Sequence, residues 1–162
     1  ETEYHVACRY WLRKSQDIRK SFTLSRIGGK ELHAIAYCQS QSKLLYQMKN
    51  YTESLNAMTQ CLVHCESLVN KLPEDQAVDG RHIMIKLEYL RSMLESFIKA
   101  RKRNFPDELA INMARAESQA RAEMLLEKET MISKEQKSAL WHSMIKSGND
   151  FINDGGFSLQ RS

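Results

Sequence analysis

Proline and glycine are scarce, at 2 and 6 of 162 residues, so long stretches of chain have nothing to interrupt a helix. No apolar run reaches the roughly 20 residues of a membrane-spanning helix, and no secretory leader pattern is visible. Neither sign of charge dominates. A balance of 24 Lys and Arg against 20 Asp and Glu leaves +4, too mild by itself to argue for nucleic acid. The four cysteines (Cys8, Cys38, Cys61, Cys65) lack any framework spacing, which predicts buried thiols in a reducing cytoplasm rather than disulfides. No phosphate loop, nucleophile elbow or paired-carboxylate signature is present, so neither catalysis nor a cofactor is expected. The chain opens with Glu1 rather than Met, which suggests a piece of a longer protein.

What remains is helix-forming sequence, and the reading is all-α. The clearest signal lies between Glu31 and Leu72. Upstream, Ile35, Cys38, Ser42, Leu45 and Met48 recur at steps of three and four, the spacing of one helix face. Downstream, Leu55, Met58, Leu62, Cys65, Val69 and Leu72 do the same. Asn50 stands where an N-cap belongs, and Glu53 three residues on completes a capping-box pattern. So short a link forces the helices into an antiparallel hairpin.

Around the hairpin, the expected first helix runs from about Glu3 to Ser21, with Ala7, Trp11, Ile18 and Phe22 as its buried stripe and a basic outer face. Gly28 and Gly29 should break it. Pro73 to Gly80 is the best candidate boundary, and a fourth helix begins near Arg81 with Ile83, Leu87, Leu90, Leu94 and Phe97 on one face. Lys99, Arg101, Lys102 and Arg103 suit the negative end of its dipole. The turn from Asn104 to Leu109 echoes that from Asn50 to Leu55. An alanine-rich fifth helix covers about Pro106 to Thr130. A sixth, capped by Ser133 and Gln136, should stop at Gly148. The expected organisation is thus two tandem three-helix bundles: residues 1–72, a linker 73–80, residues 81–148, and a loosely held tail 149–162.

Cys61, His64 and Cys65 lie within one helical turn, with Cys38 opposite. Without a CxxC or a second ligand pair, packing explains them better than zinc, and no metal site is expected.

From Ile35 to Leu68 the hairpin resembles a tetratricopeptide repeat. Ser42 takes the small helix-A position, Tyr51 the aromatic that opens helix B, and Ser54, Met58, Cys61 and Leu62 the positions that follow. The chain departs from that pattern at Gln41 and Glu66. Such arrays need at least about three repeats to bury their faces, which points to a different helical bundle. Three-helix units of this kind resemble microtubule-interacting-and-transport (MIT) domains. A tandem pair is similar to the C-terminal early-autophagy targeting and tethering domain of the fungal autophagy-initiating serine/threonine kinases. Residues Glu108 to Ala120 and Ser138 to Ile145 carry that likeness. The resemblance implies a regulatory subunit of the autophagy-initiation kinase complex as partner. It also implies a cytoplasmic location, peripheral at the preautophagosomal membrane, and a role in targeting the kinase to the site of autophagosome formation.

On either footing the expected function is a non-catalytic interaction module whose inter-helix grooves accept amphipathic segments. Ala116 and Ala120 of the alanine-rich helix, with Leu140, Trp141 and Met144 of the next, are the candidate groove. Arg9, Arg13 and Lys20 are candidates for contact with an anionic membrane. The alternatives are a tetratricopeptide-like scaffold in an unrelated complex, or a helical domain whose basic face binds phospholipid or nucleic acid. Aromatics interleaved for stacking are missing, so nucleic acid is not favoured. Whether the chain forms homodimers is left open.

Overall fold

A computed structural model describes the backbone of residues 3–161 and the side chains of residues 3, 6–8, 10 and 28–153. Every element among the described residues is a helix: α1 (Glu3–Gln47), α2 (Tyr51–Lys71), α3 (Ala77–Lys102), α4 (Asp107–Lys128) and α5 (Lys134–Arg161). The protein is all-α. Helix α1 bends at Gly28, whose φ of −119° and ψ of 20° leave the helical region, and so comprises two arms. Counted separately, these give six helical segments packed as hairpins, three before Pro73 and three after it.

The two tight turns are built alike. In the first, Lys49 adopts a φ of 65° and Asn50 N–H donates back to Leu45 O at 2.8 Å. In the second, Asn104 adopts 64° and Phe105 N–H donates to Ala100 O at 3.2 Å. Both are Schellman endings, in which one left-handed residue closes the helix and turns the chain back. The expected capping role of the Asn50 side chain is not realised, since that side chain makes no capping bond. Ser133 and Gln136 do form a capping box, with Gln136 N–H donating to Ser133 Oγ at 3.2 Å and Ser133 N–H to Gln136 Oε1 at 3.0 Å.

Small residues set how closely the helices approach. Ser42 of α1 and Ser54 of α2 are fully buried. Each hydroxyl donates to the other's carbonyl, at 2.8 and 2.6 Å, so both donors are used across the contact. The Cα of Gly28 lies where an added Cβ would collide with Leu68, and one on Gly80 would stand 2.9 Å from a Val69 methyl. Along α4 the buried face is Ala110, Ala114, Ser118, Ala122 and Leu126, a strict four-residue spacing of small groups that lets α3 pack close.

Several expected boundaries shift. The first helix does not end at Ser21, because helical backbone passes Gly28 with a bend instead of a break. Ala77 to Gly80, placed in the linker by sequence, form the first turn of α3, with Gly80 buried against α2. Gly148 does not end the last helix. It is a packing glycine inside α5, where a Cβ would meet Met93 Cε and Tyr89 Cε1 at 2.6 Å. Residues beyond it, expected as a loose tail, continue the helix, and Phe151 and Ile152 are buried. The side chains of residues 154–162 lie outside the described residues. The described core runs from Ile35 to Ile152 without interruption at Pro73.

An aromatic cluster joins the start of the fold to its end. Tyr46 of α1 lies 5.4 Å from Tyr51, 5.7 Å from Phe97 and 5.2 Å from Phe151, centroid to centroid. Its hydroxyl donates to Ile152 O at 3.0 Å. Arg101 sits 4.9 Å over the Tyr51 ring and is paired with Asp107, so one of the expected dipole cations serves the cluster instead.

Two glycines offer opposite tests of this packing. Gly148→Val should destabilise the protein by about 1–3 kcal/mol through overpacking against the Tyr89 ring. Gly29→Ala, in helix with nothing within 4 Å of the new Cβ, should stabilise it by about 0.5–1 kcal/mol. Thermal unfolding followed by circular dichroism checks both; equal melting temperatures would contradict the close approach at Gly148.

Candidate functional site

Helix α3 packs on both α2 and α4, while the backbones of α2 and α4 stay more than 8 Å apart, Cα to Cα, among the described residues. A slot is left between them with α3 as its floor. The sequence widens it locally. On each helix the slot takes a hydrophobic residue lying beside the buried stripe: Leu62 next to Cys61, Met84 next to Ile85, Leu125 next to Leu126. Each is only partly buried. Together with Thr59, Val63 and Ile85 they line a cleft of about 390 Å³. Val63, at 54% exposure, stands on its lip.

The rim carries Glu66, Arg81, Glu88 and Glu129. Arg81 Nη1 holds Glu129 Oε1 at 2.9 Å and so ties α3 to the end of α4. Glu88 is held from its own helix by Arg91 and from α4 by Arg121, at 3.6 Å. Glu66, on the α2 wall, has no ion pair among the described residues. The cleft is therefore apolar inside and fixed along its α3–α4 side by ion pairs, with Glu66 the rim carboxylate that no cation holds among the described residues.

The five residues expected to line one groove are not brought together. Trp141 lines a shallower cleft of about 330 Å³ between α4 and α5, with Glu123, Leu126, Glu127, Lys137 and Ser138. Leu140 and Met144 point into the core at 8% and 0% exposure. Ala116 and Ala120 are exposed and border neither cleft. Five residues chosen together are thus separated by the helix rotation: α4 turns Ala110, Ala114 and Ala122 inward, and its remaining alanines to solvent. The side chains of Arg9, Arg13 and Lys20 lie outside the described residues. Leu62, assigned by sequence to the hairpin interior, is a wall of the larger cleft. Its signal was the width of the α2 stripe, where Leu62 follows directly on Cys61.

The cysteine cluster is a packing feature. Cys61 Sγ donates to Ile35 O at 3.6 Å and Cys65 Sγ to Gly80 O at 3.5 Å. Burial, with the Cys38 thiol close by, pushes Cys61 up to about 12, and burial pushes Cys65 up to about 11. Both are protonated at neutral pH. No three His, Cys, Asp or Glu among the described residues are grouped to hold a metal. No helix among them is long and apolar enough to cross a membrane.

Thiol labelling tests this placement. With a neutral maleimide at pH 8, exposed Cys8 should react at once, and Cys61 and Cys65 only as the protein unfolds. Stability should hold below the ordinary thiol value of 9.0 and decline as pH rises toward 11 and 12, because the unfolded chain then releases protons that the folded one keeps. Rapid labelling of all four cysteines in the native protein would contradict the assignment.

No family model matches the chain, and neither a curated protein nor a solved structure matches it significantly.

Proposed function

We propose that this protein is a non-catalytic interaction module that accepts an amphipathic helical segment with basic flanks in the α2–α3–α4 cleft. The observation that carries the reading is the apolar floor between two helices whose backbones stand apart. A guest helix placing anchors at i, i+3, i+4 and i+7 would bury Leu62, Val63, Met84 and Leu125, exchanging water for apolar contact. Carboxylates at the rim favour lysine or arginine beside those anchors and disfavour acidic guests. The Trp141 cleft is the weaker candidate, because its small floor lies between Lys137 and two glutamates.

The likeness to tandem MIT domains makes a regulatory subunit of the autophagy-initiation kinase complex the first natural partner to try. Recruitment of that kinase to the site of autophagosome formation is the role such binding would serve.

A fluorescent amphipathic helix with leucine anchors and lysine flanks, followed by anisotropy, tests the site directly. Leu62→Asp and Met84→Asp should each weaken binding tenfold or more, equivalent to about 1.4 kcal/mol, with helicity retained because both positions are partly exposed. Trp141→Ala should leave affinity unchanged, and glutamate flanks or added salt should reduce it. Undiminished binding to Leu62→Asp, or loss only with Trp141→Ala, would overturn this choice of groove.

A further inference from the structure

Helix α1 outruns its partner. Lys71, the last residue of α2, is ion-paired with Glu31, and Gly28 sits against Leu68. Cys61 faces Ile35, and Ser54 faces Ser42. In this antiparallel register α2 ends where the first arm of α1 begins. From Glu3 to Ile27 that arm is helical and measures about 37 Å at 1.5 Å per residue. Among the described residues, α1 packs against α2 and α5, and against α3 through the Tyr46–Phe97 contact near its far end. Val6 is 52% exposed, and Ala7, expected in a buried stripe, is exposed.

The arm's sequence is that of a helix meant to be covered. Ala7, Trp11, Ile18 and Phe22 follow helical spacing. Its charge is one-sided: Arg9, Arg13, Lys14, Arg19, Lys20 and Arg26 against Glu3 and Asp17, a surplus of four positive charges. Two such arms laid together would repel. The α2–α3–α4 cleft offers the complementary chemistry, an apolar floor bordered by Glu66, Glu88 and Glu129 with one arginine. Arg91 and Arg121 share Glu88, so Glu66 is the carboxylate left to meet an incoming cation.

We infer that the first arm of α1 docks in the α2–α3–α4 cleft of a second copy of this chain. The two copies exchange arms reciprocally, so that association closes at a dimer. The kink at Gly28 is the joint from which each arm departs. This inference rests on the cleft proposed above as the binding site. A guest peptide that binds while the chain stays monomeric would leave that site standing and remove the exchange.

Sedimentation of the full chain across concentration tests it. The parent chain should show a monomer–dimer equilibrium that weakens with salt. Arg9→Glu with Arg13→Glu and Lys20→Glu in one variant, and Glu66→Lys in another, should each weaken dimerisation at least tenfold. Mixed together, the two variants should dimerise again, since both arm–cleft pairs in the mixed dimer carry opposite charges. Circular dichroism confirms that each is folded. On the parent chain, a zero-length carboxyl–amine cross-linker should join Glu66 to Lys14 or Lys20 between isotopically distinct copies, which needs no variant. A monomeric parent chain, variants that dimerise like it, a mixture that stays monomeric, or the absence of that cross-link overturns the inference. A monomer that sediments with phosphatidylserine vesicles would assign the arm to an anionic lipid surface instead.

Discussion

The fold depends on the rings gathered about Tyr46. Sequential hairpins alone would give a row of helices, each touching the next. Tyr46 changes that by bringing Tyr51, Phe97 and Phe151 into edge-on or tilted contact, so that α1, α2, α3 and α5 share one cluster. Edge-to-face geometry adds to area burial in such pairs. The Tyr46 hydroxyl reaches Ile152 O across 106 residues of chain, and burial first, then the neighbouring Tyr51 and Asp107, raises its pKa, so it stays a donor. Arg115 on α4 adds a bond to Asn153 at 2.7 Å. These groups hold the last helix to α1 and to α4, and this is why residues beyond Gly148 belong to the fold.

Close approach elsewhere decides where the surface is left open. The serine pair draws α1 and α2 together, the alanine face of α4 draws it onto α3, and Gly148 lets α5 lie against Tyr89 and Met93. Each helix thereby spends its smallest face on one neighbour. Helices α2 and α4 turn theirs away from each other, and the strip of α3 between them stays uncovered. The apolar cleft at Leu62, Met84 and Leu125 is thus a consequence of where the small residues fall. The ion pairs Arg81–Glu129 and Arg121–Glu88 brace one side of it.

Much of the fold was legible in the sequence because it is written in helical period. The α2 stripe of Met58, Cys65 and Leu72, the α3 stripe of Leu87, Leu90, Leu94 and Phe97, and the Ser133–Gln136 cap all appear in place. Ser42 and Ser54 stand at the small positions of a repeat hairpin, and their reciprocal bonds occupy that contact. Glycine misled. Gly28, Gly80 and Gly148 looked like punctuation, because a turn and a tight helix contact ask the same thing of a residue, the absence of a Cβ. Only tertiary packing separates the two. The cleft was hidden for a related reason. Periodicity says that Leu62 and Met84 are apolar and near the core face, but whether a neighbouring helix covers them depends on α2 and α4 failing to meet. The alanines of α4 could line a groove or a seam, and Ala110, Ala114 and Ala122 form the seam.

The central claim is that the strip of α3 between α2 and α4 is the open binding face of the molecule. Methyl nuclear magnetic resonance of the Leu and Met side chains, during titration with a lysine-flanked amphipathic helix, tests it most directly. The account predicts that the methyl signals of Leu62, Met84 and Leu125 shift together and saturate, while those of Leu140 and Met144 stay in place. Shifts centred on the residues around Trp141, or none at the three cleft methyls, would contradict it.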